Sequence, residues 1–212
     1  MCFSATASFV ASAVLTTSGA ACLSKTKKKE DVLLASIPFI FGIQQFFEGL
    51  VWLYPANGWL TQVFAYIFLF FAFLWWPVYV PLTVWAHEQD ASRKCILRYL
   101  IGFGILGALY LLFVLLTQLL VVQIMDYSIR YDIDTWFYVP GITLYVIVTI
   151  GSVLLSTTRF IQWFGILTLF SAWIAWGFYE RTFTSVWCFF AAMLSLVLVW
   201  YFFSRGHKNH LS

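Results

Sequence analysis

Glu48 lies inside an apolar stretch of the chain, residues 32–54, where a carboxyl needs a partner, a proton or water to be tolerated. Gln44 stands one helical turn before it and Trp52 one turn after, with Gln45 on the adjacent stripe. Gly42, Gln45, Gly49 and Trp52 recur at i, i+3, i+7 and i+10, so the polar face is also a face of close helix packing. That turns Gln44, Gln45 and Glu48 into a bundle rather than towards lipid. Such a group can bind a cation, relay a proton or hold a small polar solute. The structural alternative is an interhelical clamp, with Glu48 satisfied by a Ser or Thr of the segment 4–24.

A second set is Cys2, Glu180, Arg181 and Cys188. Cys2 and Cys188 have three readings: two unrelated residues, a disulfide if that face is oxidising, or a thiol nucleophile with Glu48 as its base. No histidine accompanies them to generate a thiolate. The four cysteines have no CxxC spacing, so they announce neither zinc nor a disulfide framework. A third set, His87, His207 and His210 with Asp90, has zinc-ligand chemistry. In the zinc hydrolases of the alkaline-ceramidase and progestin/adiponectin-receptor group the ligands lie within helices, with a histidine pair four apart on the last span. Here the pair is three apart in a polar tail, Gly206-His207-Lys208-Asn209-His210, and a solvated tail is the favoured reading. A cage of Trp75, Trp76, Trp173, Trp176 and Trp187 around a cationic ligand near Glu48 is a further possibility, set against interfacial belts and packing.

The elements that must position these residues are membrane helices. Of the 212 residues, 62% are hydrophobic and 10% charged, whereas a soluble domain carries roughly a quarter charged residues. Seven segments reach the roughly 20 apolar residues that a bilayer crossing needs: 4–24, 32–54, 60–86, 95–120, 136–156, 160–178 and 184–203. The first is rich in Ser, Thr and Ala and suits packing inside a bundle, with Ser4, Ser8 and Ser12 on one small face. Pro38, Pro77, Pro81 and Pro140 fall within spans and predict kinks. Ten of the twelve Lys and Arg fall on one side of this arrangement, and only Arg130 and Arg181 on the other. The positive-inside rule then places the N-terminus outside and the C-terminus in the cytoplasm. Cys2, Glu48, Glu180, Arg181 and Cys188 are expected towards the outer end, the three histidines at the inner one. With no Lys or Arg before residue 25, the basic region of a cleaved signal peptide is missing. The last span has no lysine for a retinal Schiff base, and no paired histidines within spans suggest a haem cytochrome. A net charge of +3 spread over short clusters argues against a nucleic-acid partner.

The opening Met1-Cys2-Phe3-Ser4-Ala5-Thr6-Ala7-Ser8-Phe9 is similar to the start of a bacterial family of multi-helix membrane proteins without an assigned activity. Pro38, Phe41-Gly42, Gln44-Gln45, Glu48-Gly49 and Trp52 carry the same resemblance, as does Ser185-Val186-Trp187-Cys188-Phe189-Phe190-Ala191-Ala192. The resemblance implies a bacterial inner membrane and no mechanism.

The expected protein is thus a single domain, an all-α bundle of about seven transmembrane helices. It has an outward-facing polar pocket, lined by Gln44, Gln45 and Glu48 with Trp52 above, that binds or passes a small polar or cationic solute or a proton. The alternatives are a membrane-embedded hydrolase or lipid-modifying enzyme, dependent on zinc or on Cys2, and a seven-helix ligand sensor. No cofactor is expected outside the zinc alternative. The expected partners are the lipid bilayer and a small-molecule or ion ligand, with a homo-oligomer left open.

Overall fold

The computed structural model describes the backbone of residues 4–26, 28–56, 58–125, 127–133 and 135–208, with side chains except at 135–138 and 205–208. The described residues form helices joined by short turns, with one short hairpin among them. The helices are α1 (Ala5–Lys25), α2 (Lys29–Leu53), α3 (Trp59–Leu69), α4 (Trp76–His87), α5 (Ala91–Thr117), α6 (Thr135–Leu154), α7 (Arg159–Tyr179), α8 (Phe183–Leu194) and α9 (Leu196–Lys208). The strands β1 (Val121–Ile124) and β2 (Ile129–Asp132) pair antiparallel between α5 and α6.

Five helical runs are long and apolar enough to cross a membrane: Ala5–Lys25, Lys29–Leu53, Trp59–His87, Ala91–Thr117 and Arg159–Ser204. Val139–Leu154 is a shorter apolar helix. The expected segments 160–178 and 184–203 are joined in the last run, which is helical in name but folded in shape. Phe160 stacks on Tyr201 with ring centroids 3.9 Å apart, whereas a straight helix rising about 1.5 Å per residue would separate them by roughly 60 Å. The reversal falls at the 3₁₀ turn Glu180–Thr182.

Local chemistry accounts for the boundaries. Ser4 caps α1 by accepting the Ala7 N–H at 3.2 Å, and Asp90 caps α5 by accepting that of Arg93 at 2.8 Å. Glu30 and Asp31 supply the acidic first turn of α2. The small face of α1 lets α2 come close: Ser8 and Ser12 are buried, and a Cβ at Gly42 would collide with Thr16 Oγ1. A Cβ at Gly49 would come within 2.9 Å of the Phe9 ring.

Between α3 and α4 the helix widens into a π-helical stretch, Phe70–Trp75, where Trp76 N–H donates to the Phe71 carbonyl, five residues back. Pro77 follows at once and cannot donate to the preceding turn, so the insertion absorbs a lost hydrogen bond without breaking the helix. Gly104 of α5 lies against the Pro77 carbonyl, where a Cβ would clash.

The loops gather at two ends. At one, Lys25 lies over the Phe203 ring, His87 Nδ1 meets Asp31 Oδ1 at 3.1 Å, and Arg93 Nη1 donates to the Leu155 carbonyl at 2.8 Å. At the other, Gln62 Nε2 donates to the Leu120 carbonyl and the hairpin folds over the helix ends. The hairpin pairs Val121 with Asp132 and Ile124 with Ile129. Ile129 and Tyr131 face inward, while Arg130 and Asp132 form an ion pair at 2.8 Å on the other face. One hydrophobic cluster, including Val51, Phe68, Leu111, Val122 and Ile129, fills the hairpin end. A second, including Leu34, Val84, Leu97, Ile150 and Ile161, fills the rest, and Trp52 packs against both.

Candidate functional site

Four elements converge on the Glu48 cluster. α2 presents Gln44, Gln45 and Glu48 within about one turn, and all three are buried, Glu48 at 2% exposure. α8 runs beside it and contributes Ser185, whose Oγ donates to Glu48 Oε1 at 2.5 Å. Gln45 Nε2 donates to the other carboxyl oxygen at 3.0 Å. The π-helical widening places Trp76 against α2, where its ring stacks on Phe41 and its Nε1–H donates to Gln44 Oε1 at 2.7 Å. Cys188, one turn after Ser185, lies beside Gln44 and Glu48. β2 closes the set from above: Tyr131 stacks on Phe68 with centroids 5.1 Å apart and faces Glu48 and Cys188.

The cluster is polar, closed and incompletely bonded. Each Glu48 oxygen has one neutral donor, and no Lys, Arg or His pairs with it among the described residues. Gln45 Oε1 and the Tyr131 hydroxyl are buried without a hydrogen-bond partner. Gln44 Nε2 is also without one, with only the weak acceptor sulfur of Cys188 beside Gln44. Each such group costs about 1–3 kcal/mol where nothing satisfies it. Glu48, Gln45 and Tyr131 together present oxygen atoms suited to a proton or a small cation.

The other sequence candidates fall into separate places. Trp52 is one turn beyond Glu48, half-buried between the two hydrophobic clusters. Glu180 and Arg181 are exposed in the 3₁₀ turn, and Cys2 lies outside the described residues. The tryptophan cage does not assemble, since Trp173 and Trp176 point outward and Trp75 stacks on Tyr79. The clamp donor expected from α1 comes instead from α8. α1 offers Gly49 the Phe9 ring and Gly42 the Thr16 hydroxyl, which leaves the Glu48 side of α2 to α4 and α8. Ser185 and Trp76 carried the signals of an apolar-segment serine one turn from Cys188 and of an aromatic residue beside a proline. Tyr131 fell in what read as a loop.

At the opposite end His87 is engaged with Asp31, and Asp90 is the α5 cap. Among the described residues no three His, Cys, Asp or Glu gather to hold a metal. The His207 side chain and the whole of His210 lie outside the described set. Glu88 is a latch between two loops. It accepts hydrogen bonds from the backbone of Gln89, Asp90 and Thr157 and from the Thr157 hydroxyl, at 2.6–3.0 Å. Burial raises its pKa, but these donors outweigh that and bring it from 4.5 down to about 2.

The chain matches the family of unknown function DUF6629 over residues 1–211 and belongs to it. No curated protein and no solved structure matches it.

Proposed function

We propose that this member of DUF6629 is a multi-pass membrane protein that holds a proton or a small cationic or polar solute at Glu48, with Gln45 Oε1 and the Tyr131 hydroxyl as further oxygen ligands and Gln44 Nε2 as a donor to the oxygen of a polar solute. One observation carries the reading: among the described residues Glu48 is a buried carboxyl without a cationic partner, beside a Gln45 Oε1 and a Tyr131 hydroxyl that are buried without hydrogen-bond partners. Buried polar atoms without partners are rare in folded proteins and concentrate where a ligand, ion or water completes the set. The hairpin covers the cluster, so exchange with the outside requires it, or the α8 end, to move.

The proposal includes seven crossings with the N-terminus outside, in a cytoplasmic membrane. The contacts at each end support it: the loops after α1, α4 and α6 and the end of α9 lie together, opposite the hairpin and the 3₁₀ turn. Ten of the twelve basic residues belong to the first group, which the positive-inside rule assigns to the cytoplasm.

The test compares the parent with Glu48→Gln in detergent. Melting temperature is followed from acid to alkaline pH, and with sodium, potassium or tetramethylammonium chloride at matched ionic strength. A parent that responds to pH or to one cation beside a folded, unresponsive variant supports the site. Equal responses, or a parent that responds to nothing and a variant that melts lower, leave Glu48 as a clamp between α2 and α8.

A further inference from the structure

Beside the polar cluster the bundle holds a partly open, largely apolar cavity of about 70 Å³. Its walls come from α2, α4, α6, α7 and α8, with Leu34, Phe41, Val84, Ile150 and Ile161 among them. On α4 it runs from Trp76 to Val84 and on α6 from Tyr145 to Val153, a rise of eight residue steps in each case. At about 1.5 Å per residue its long dimension is roughly 12 Å, along the helix axes. Three threonines line it, yet none offers a free hydroxyl proton: Thr83, Thr149 and Thr168 each donate to the carbonyl four residues back in their own helix. Water needs two to four polar partners to settle in such a space, and these walls supply almost none. The exceptions are at the end next to the cluster, where Tyr145, Trp187 and Cys188 line it. Trp187 borders the cavity at 5% exposure, and its indole N–H has no hydrogen-bond partner.

We propose that this cavity binds the hydrocarbon chain of an amphiphile drawn from the bilayer, with an uncharged carbonyl at its polar end accepting the Trp187 N–H. The elongated apolar shape selects a chain over a compact solute, and the unpartnered Trp187 N–H selects an acceptor. Charge on that polar end is disfavoured because, among the described residues, no cationic side chain lines the cavity and Glu48 stands close to Cys188, which does. The proposal is independent of what Glu48 binds.

A monoacylglycerol carrying a photoreactive diazirine in its chain tests this on the full-length protein in lipid nanodiscs. The expected adducts, mapped by mass spectrometry, fall on cavity residues such as Val80, Thr149 and Phe164. They are competed away by unlabelled monoacylglycerol of matching chain length, and poorly by the fatty acid of that length or by glycerol. Trp187→Phe keeps the ring and should weaken that competition several-fold, while Trp173→Phe, the same change at an outward-facing tryptophan, leaves it unchanged. Adducts confined to lipid-facing positions such as Leu106 and Leu109, or competition that ignores chain length, would overturn the proposal.

Discussion

Glu48 and Glu88 are both almost fully buried, at 2% and 1% exposure, and the protein treats them in opposite ways. Glu88 sits at a helix end, where free backbone N–H groups are at hand, and four donors stabilise its charge. Glu48 sits within a helix whose backbone is already bonded, so only side chains can reach it. The depressed Glu88 pKa makes a pH-dependent contribution to stability. It is fully present above 4.5 and is lost as the pH falls from there to about 2, on the order of 3 kcal/mol in all. Glu88→Gln should therefore melt well below the parent at neutral pH, and the gap should close in acid; a gap that persists would place the effect in packing. Ser185→Ala should cost about 1–2 kcal/mol by stripping a donor from Glu48. A double-mutant cycle with Glu48→Gln should show coupling, whereas simple additivity would mean that the hydroxyl and carboxyl act separately. In the sequence Glu48 was legible because a charge among apolar residues stands out. Its partner was not, since a serine 137 positions away has no periodic signature that links it to α2.

Among the elements, the helices were readable from length and hydropathy, and the departures trace to chemistry that those patterns ignore. The strands Val121-Val122-Gln123-Ile124 and Ile129-Arg130-Tyr131-Asp132, of which the second alternates, flank a polar turn, a short signal masked by the hydrophobic helices around it. Prolines announced a disturbance near residue 77 but not its form, because whether a helix kinks or widens depends on what packs against the freed carbonyls. Of the small-residue face read on α1, Ser8 and Ser12 are buried while Ser4 is the helix cap, and the energetic weight of the close contact can be measured. A Cβ at Gly42 would meet Thr16 Oγ1 and would lie 2.7 Å from the Thr16 nitrogen, which is backbone and cannot swing aside. Gly42→Ala should thus lower stability by about 1–3 kcal/mol through overpacking. Gly151→Ala in α6, with nothing within 4 Å, should instead hold or gain up to about 1 kcal/mol from helix propensity. Equal melting temperatures for the two variants would mean that the α1–α2 contact yields more easily than its geometry suggests.

At the scale of the whole molecule, the position of the Glu48 cluster follows from how many times the last helical run crosses the bilayer. The 46-residue run Arg159–Ser204 would be one over-long span if it were straight, and would leave Glu180 inside the hydrocarbon. The Phe160–Tyr201 stack brings its two ends together instead, so the Glu180–Thr182 turn belongs at the end of the molecule where the hairpin lies. The basic loops then share the opposite end, and Ser185 and Cys188 enter from the hairpin side to meet Glu48. Single cysteines in a background with Cys2 and Cys95 replaced by serine test the arrangement. Ala56→Cys and Glu180→Cys should both react with an impermeant maleimide on intact cells, and Lys28→Cys only after the membrane is opened. Labelling of Lys28→Cys alone on intact cells would invert the orientation and turn the Glu48 cluster towards the cytoplasm. Protection of Glu180→Cys beside a reactive Ala56→Cys would mean that the run does not turn at the outer surface. The route by which α8 reaches Glu48 would then have to be sought elsewhere.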